Sequence, residues 1–242
     1  MCTVSLIPGR ESFFLTSNRD EKKIRRQAIP PAIYQYKGAR LLYPRDADAG
    51  GTWIAINQNG NAAVLLNGAF VKHKPRPPYN RSRGLVLLDI IAAKEPFRFF
   101  GLMELENIEP FTVIILEQGC FYECRWDGME KHLKQLQYNQ PYIWSSVTLY
   151  APDTIQKRES WFEEWLRKNA EPSQDPIMGF HRFTGDGDKE NDLCMNRSGQ
   201  MLTVSITSIE IKSGIGIMHY HDLGSGSLYR EELLFSPVVA IS

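Results

Sequence analysis

Short apolar runs separated by turn signals dominate this chain, and helical spacing is confined to its middle. That ordering limits the fold more than any other feature. Thr3 to Ile7 reads as a strand, Pro8 to Glu11 as a turn and Phe13 to Thr16 as a second strand. Thr52 to Asn57 and Ala62 to Leu66 flank Gln58-Asn59-Gly60-Asn61, whose Asn-Gly pair is a strong hairpin signal. Phe111 to Leu116 and Phe121 to Trp126 form another hairpin around Gln118-Gly119, and Lys131 to Tyr138 and Tyr142 to Ser145 continue as strands. Helical spacing covers Gly84 to Lys94, with Leu85, Leu88, Ile91 and Ala92 on one face. Glu95-Pro96 breaks it, and Phe97 to Glu106 reads as a second short helix. A longer helix spans Asp153 to Lys168, with Thr154 as its expected cap and Trp161, Phe162 and Trp165 as a core stripe. A short one follows at Pro176 to Phe183. Met201 to Ile211 and Ile215 to Tyr220 return to strand. Strands, then helices, then strands give an α+β pattern. No linker or repeat divides residues 1–242, so one domain is expected.

The first chemical candidate is Cys2. Removal of Met1, expected before a small residue, leaves one residue holding both a thiol and the free α-amine. Their ordinary pKa values lie near ~8.5 and ~7.7–8.0, so both can deprotonate around neutral pH. An amine that takes the proton from its own thiol is the N-terminal form of a nucleophile–base pair. The first hairpin carries Asn18-Arg19-Asp20-Glu21 back toward the chain start. A guanidinium such as Arg19 beside a thiol favours the thiolate, and a carboxylate such as Asp20 can hold the amine. A solvated turn of four polar residues is the plain alternative.

Met1-Cys2-Thr3-Val4, then Ser17-Asn18-Arg19-Asp20-Glu21, then Gly50-Gly51-Thr52-Trp53-Ile54-Ala55 resemble, in order and spacing, the NRDE family. That family includes the animal transport-and-Golgi-organisation proteins. It in turn resembles N-terminal-nucleophile hydrolases of the choloylglycine hydrolase and penicillin V acylase kind. The resemblance implies a four-layer αββα sandwich of two mainly antiparallel sheets, and amide cleavage by an N-terminal thiol through a thioester acyl-enzyme. Asn67-Gly68 ends a hairpin where an oxyanion donor can stand; a comparable segment serves the relatives so, and an ordinary Asn-Gly turn is the alternative. Two positions depart from the relatives. In Trp144-Ser145-Ser146-Val147, Ser146 stands where they carry an oxyanion-binding Asn. Thr203-Val204-Ser205 lacks their arginine, and Arg197 is the residue that could compensate.

Charge excludes some partners. Lys plus Arg equals Asp plus Glu at 28 each, which gives no bulk attraction to nucleic acid or membrane. The segment from Lys72 to Arg83 nevertheless holds five cations and no acid. Arg81 and Arg83, at the start of a helix, read as anchors for a substrate carboxylate or phosphate; Lys72 and Lys74 read as solvated. A single aromatic, Tyr79, makes no stacking platform for nucleic acid. No apolar run reaches the ~18 residues of a membrane helix, and charges at Arg10 and Glu11 leave no signal-peptide core.

Cys120 and Cys124, four apart in a strand, lie roughly 13 Å apart, beyond the ~7 Å a disulfide tolerates. A reducing cytoplasm is therefore expected. No CxxC is present; His219 and His221 share a strand face but have no third ligand beyond Asp222, and the family resemblance implies no metal, so no metal and no cofactor is expected. Gly185 to Asp188 reads as a turn. The substrate implied is an amide joining a small amine to an apolar acyl or aromatic group. The alternative is a carrier that binds an amphipathic ligand, an acyl thioester or a haem-like group, without chemistry. Oligomeric state stays open.

Overall fold

The computed structural model describes residues 3–236, so Cys2 lies outside the described residues. Two antiparallel sheets stack face to face, with a helical layer on the outside of each. The first sheet runs β10 (Tyr142–Ser145), β1 (Thr3–Pro8), β2 (Ser12–Lys22), β12 (Met201–Lys212), β13 (Ile215–Asp222) and β14 (Leu228–Leu234), with β11 (Asn196–Arg197) beside β12. The second is a meander in chain order. Its strands are β3 (Ile29–Tyr36), β4 (Ala39–Arg45), β5 (Ile54–Asn57), β6 (Ala62–Asn67), β7 (Phe111–Glu117), β8 (Cys120–Trp126) and β9 (Lys131–Leu136).

Alternation of side chains through each strand builds three separate cores. Val4, Leu6, Leu15, Ile209 and Tyr220 of the first sheet meet Trp53, Ile54, Val64 and Ile114 of the second. Ala55, Ala63, Val113 and Ile115 point the other way, onto α1 (Arg83–Ala92) and α2 (Pro96–Leu102). Ile7 and Phe14 face outward onto α3 (Pro152–Lys168) and α4 (Gln174–Phe183), where Phe162, Ile177 and Phe180 cover them. The Trp161, Phe162 and Trp165 stripe joins this third core, Trp161 and Trp165 at its margin. The result is the αββα order, a two-period pattern read onto both faces of two sheets.

Several boundaries differ from the sequence expectation. β2 runs on to Lys22, so Asn18 to Glu21 are strand residues and not a solvated turn. β3 is hidden in the sequence by Pro30 and Pro31, which argue against a strand; it is a sheet edge with a register shift at those residues, where a missing N–H costs little. β14 is likewise an edge, and its Arg230-Glu231-Glu232 charges, which keep edges from pairing, obscure it. α3 starts at Pro152 with Ala151 as its cap and no side-chain capping bond, so Thr154 does not cap it. Proline at the first turn removes one of the N–H groups a cap would serve.

Candidate active site

Period-two alternation along β2 splits the Asn18–Glu21 block between two layers. Asn18 and Asp20 face the helices, whereas Arg19 and Glu21 face the end of the intersheet core. Thr3 pairs with Asn18 across the β1–β2 ladder, so the block stands beside the chain start.

On the cleft side, the Arg19 guanidinium stacks 4.7 Å from the Trp53 ring and donates to Asp46 at 2.7 Å. Arg25 reaches the same carboxylate at 3.1 Å. Burial opposes ionisation of Asp46, but the Ala49 N–H, Arg25 and Arg19 outweigh it and hold this carboxyl below its ordinary range. These groups open onto a cleft of about 650 Å³, lined also by Glu21, Asn67, Arg81, Arg83 and Glu109. Gly51 and Thr52 form part of its wall, where the segment leading into β5 approaches the start of α1. The approach is close: a Cβ on Gly51 would sit 2.7 Å from the Leu85 nitrogen, and one on Gly84 2.9 Å from the Thr52 oxygen. Thr52 N–H donates to the Gly84 carbonyl at 3.2 Å. The Gly-Gly-Thr-Trp step thus has a physical reason: two backbones touch and the indole is delivered beneath Arg19. The buried Trp53 Nε1 has no hydrogen-bond partner among the described residues.

Arg81 and Arg83 line the cleft as expected, but neither is a lone cation. Arg81 pairs with Asp89, and Arg83 pairs with Glu109 at 3.0 Å. Burial lowers the Arg83 pKa, partly offset by Glu109.

On the helix side, Asp20 accepts from Tyr150 Oη at 2.7 Å and from Thr203 Oγ1 at 2.5 Å. The β2–β12 ladder shifts register here: Thr203 faces Asp20 and Ser205 faces Arg19, leaving Val204 as a bulge. Asn18 donates to the carbonyls of His181 (3.0 Å) and Leu193 (2.7 Å). Its oxygen must therefore accept from His181 Nδ1 at 2.7 Å, and Ser5 Oγ must donate to Nε2 at 2.7 Å. Ser5, His181 and Asn18 have the order of a nucleophile relay, yet none has exposed surface. They form a structural pin between β1, β2 and α4.

The remaining expected residues separate. Asn67 ends β6 and lines the cleft, with Gly68 at φ +82° turning the chain away. Ser146 does not line the cleft; its hydroxyl donates to the Asn67 carbonyl at 2.8 Å. Arg197 is not at the cleft either: it donates to the carbonyls of Leu149 (3.0 Å) and Glu190 (3.1 Å) and lies 5.3 Å from the Tyr150 ring. Sequence reasoning missed Asp46, Tyr150 and Arg158. Only burial distinguishes them from ordinary polar residues, and Arg158 sits in a run of charges, Lys157-Arg158-Glu159.

Two of the other thiols, Cys124 and Cys194, are poor nucleophile candidates. Burial pushes Cys124 up to about 12, and burial and then Asp20 raise Cys194. Among the described residues no group of three His, Cys, Asp or Glu side chains can hold a metal. Burial lowers the pKa of both His219 and His221. No described helix is long and apolar enough to cross a membrane.

Against known proteins, residues 1–215 match the family model for Transport and Golgi organisation 2. No curated protein matches the sequence. Among solved structures, a conjugated bile acid hydrolase from Clostridium perfringens, in a cysteine-to-alanine mutant, superposes with a TM-score of 0.60 at 12% identity, covering 96% of this chain and 92% of that one. An arginine-to-leucine variant of the same hydrolase gives 0.57 at 14%, covering 100% and 99%. The Caenorhabditis elegans orthologue of N-acylethanolamine-hydrolyzing acid amidase gives 0.60 at 10%, covering 86% and 92%. At such identities the likeness establishes the fold they share.

Proposed function

The chain belongs to the Transport and Golgi organisation 2 family, and from that footing we propose that it is an N-terminal-cysteine hydrolase of a non-peptide amide bond. The observation that carries this reading is the β1–β2 register. It brings β2 back beside the start of β1, with Arg19 at the edge of a cleft that also holds Asn67 and Asp20 on the opposite face of the strand. After Met1 is removed, the Cys2 thiolate attacks the carbonyl carbon and its α-amine takes the thiol proton. The Asn67 amide stabilises the oxyanion. Collapse breaks the C–N bond, the leaving amine takes the proton, and a thioester remains. Water, deprotonated by the Cys2 α-amine, then attacks the thioester carbon, the C–S bond breaks to release the acid, and the sulfur regains the proton from that amine.

The substrate class is an amide of a small amine with an apolar acyl or aromatic group. The unbridged Cys120, Cys124 and Cys194 support placing the protein in the cytoplasm. Cys2→Ala abolishes turnover of such an amide and leaves the melting temperature nearly unchanged, because it removes the reacting sulfur and keeps the backbone. Turnover that survives Cys2→Ala excludes the mechanism. One observation favours the carrier reading instead: the Ser146 hydroxyl is committed to the Asn67 carbonyl and offers no second oxyanion donor. A carrier would bind an acyl thioester or haem-like ligand and leave Cys2 unacylated, which intact-mass measurement distinguishes.

A further inference from the structure

A fully buried guanidinium normally has a carboxylate partner, since an unpaired charge is costly to desolvate. Arg158 on α3 is fully buried, yet it makes no ion pair among the described residues. Its Nη2 donates to the carbonyls of Asn191 (3.0 Å) and Asp192 (2.6 Å), and its Nε to Asn191 at 3.2 Å. Its Nη1 donates to Thr3 Oγ1 at 2.6 Å, the side chain next to Cys2 in the chain. The guanidinium lies 3.6 Å from the Tyr150 ring centroid, and that phenol in turn donates to Asp20.

Arg19, by contrast, is neutralised by Asp46 at 2.7 Å, with Glu21 at 3.8 Å. We propose that Arg158, rather than Arg19, supplies the uncompensated positive charge that makes Cys2 reactive. A nearby cation favours the thiolate and disfavours the α-ammonium, so it prepares nucleophile and base together. Arg158 is a positioning and charge-setting residue, held against β1 by the Thr3 hydroxyl and not placed in contact with substrate.

Other charges face this cluster. β2 contributes Asp20, linked through Tyr150. α4 contributes His181, which stays neutral; burial lowers its pKa and the Arg158 charge lowers it further. The loop before β11 contributes Asp192, whose carboxylate binds the Asp186 N–H, and Cys194. β11 contributes Arg197, a second cation against Tyr150. On α3 itself Lys157 is paired with Asp186, and Glu159 turns toward a neighbouring groove.

This inference rests on Cys2 being the processed nucleophile, so the test separates the two. Iodoacetamide alkylation of Cys2 is followed by peptide mass from pH 5 to 10, after intact mass has established loss of Met1. Arg158→Gln raises the midpoint by about one pH unit or more and slows alkylation at pH 7 about tenfold. Arg158→Lys keeps the wild-type midpoint, and Arg19→Gln moves it less than Arg158→Gln does. If Arg158→Gln fails to fold, Thr3→Val takes its place: nearly isosteric, it removes the guanidinium's hold on β1, and the midpoint rises. A purely structural role lowers the melting temperature of these variants without moving the midpoint, and that result overturns the inference alone. Retained Met1, or a wild-type Cys2 with an ordinary midpoint, overturns the proposed mechanism and this inference together.

Discussion

His181 makes the fold acid-sensitive in a window where carboxylates are silent. Its ring is fully buried, and burial, followed by the charge of Arg158, lowers its pKa to about 3. In the unfolded chain the same ring titrates near ~6.5. The folded-state value is depressed, so the unfolded chain gains a proton that the native state refuses, and stability falls as pH drops below ~6.5. By pH 5 the loss from this one ring is about 2 kcal/mol, and it would reach roughly 4 kcal/mol near pH 3. The geometry gives the same sign. Asn18 Nδ2 is committed to two carbonyls, so its oxygen fixes the proton on Nδ1 and leaves Nε2 to accept from Ser5. A second ring proton would lose that acceptor. Urea titrations at pH 5.0, 5.5, 6.0, 6.5 and 7.5 on wild type and His181→Gln measure the difference directly. His219 and His221 are also lowered by burial and act with the same sign, but they are common to both proteins and cancel. His181→Gln should be less stable at pH 7.5, with the gap narrowing by about 2 kcal/mol at pH 5. Parallel curves across this range would refute a neutral, buried imidazole.

Other substitutions test the remaining joints. Gly51→Ala forces a methyl against the Leu85 nitrogen and the Gly84 carbonyl, which are backbone and cannot swing aside. Overpacking of ~1–3 kcal/mol should lower the melting temperature by roughly 3–10 °C in a thermal scan. Asn67→Ala should reduce amide turnover ~10²–10³-fold through kcat, if its amide is the oxyanion donor; unchanged kcat removes Asn67 from the mechanism. Ser146→Ala should cost about 1 kcal/mol in urea titration, one hydrogen bond to the Asn67 carbonyl.

The hairpins are legible because their turns carry specific chemistry: Asn59-Gly60 and Gln118-Gly119 place residues at positive φ where the ladder needs them. The helices show in apolar spacing, since α1 and α3 each cover one sheet face. Edge strands β3 and β14 are invisible because proline and charge, which protect an edge, also erase a strand's pattern. In the site, Arg19, Asp20 and Asn67 are visible as motif residues. Asp46, Tyr150 and Arg158 are not, because their meaning lies in partners 27, 130 and 155 residues away.

The Asn-Arg-Asp-Glu block therefore cannot be treated as four votes for one site. A strand sends successive side chains to opposite faces, and here each face carries a different duty. Asn18 fastens β2 to α4 through His181 and to the loop carbonyl of Leu193. Asp20 ties the same strand to Tyr150 and Thr203. Arg19 and Glu21 shape the cleft on the other side. A one-residue slip of β2 would exchange the two faces, placing a guanidinium among buried carbonyls and an amide beneath Trp53. The four residues thus lock the register that aligns the chain start with the cleft. Substituting Asn18, which is remote from the cleft, should disturb reactivity as well as stability.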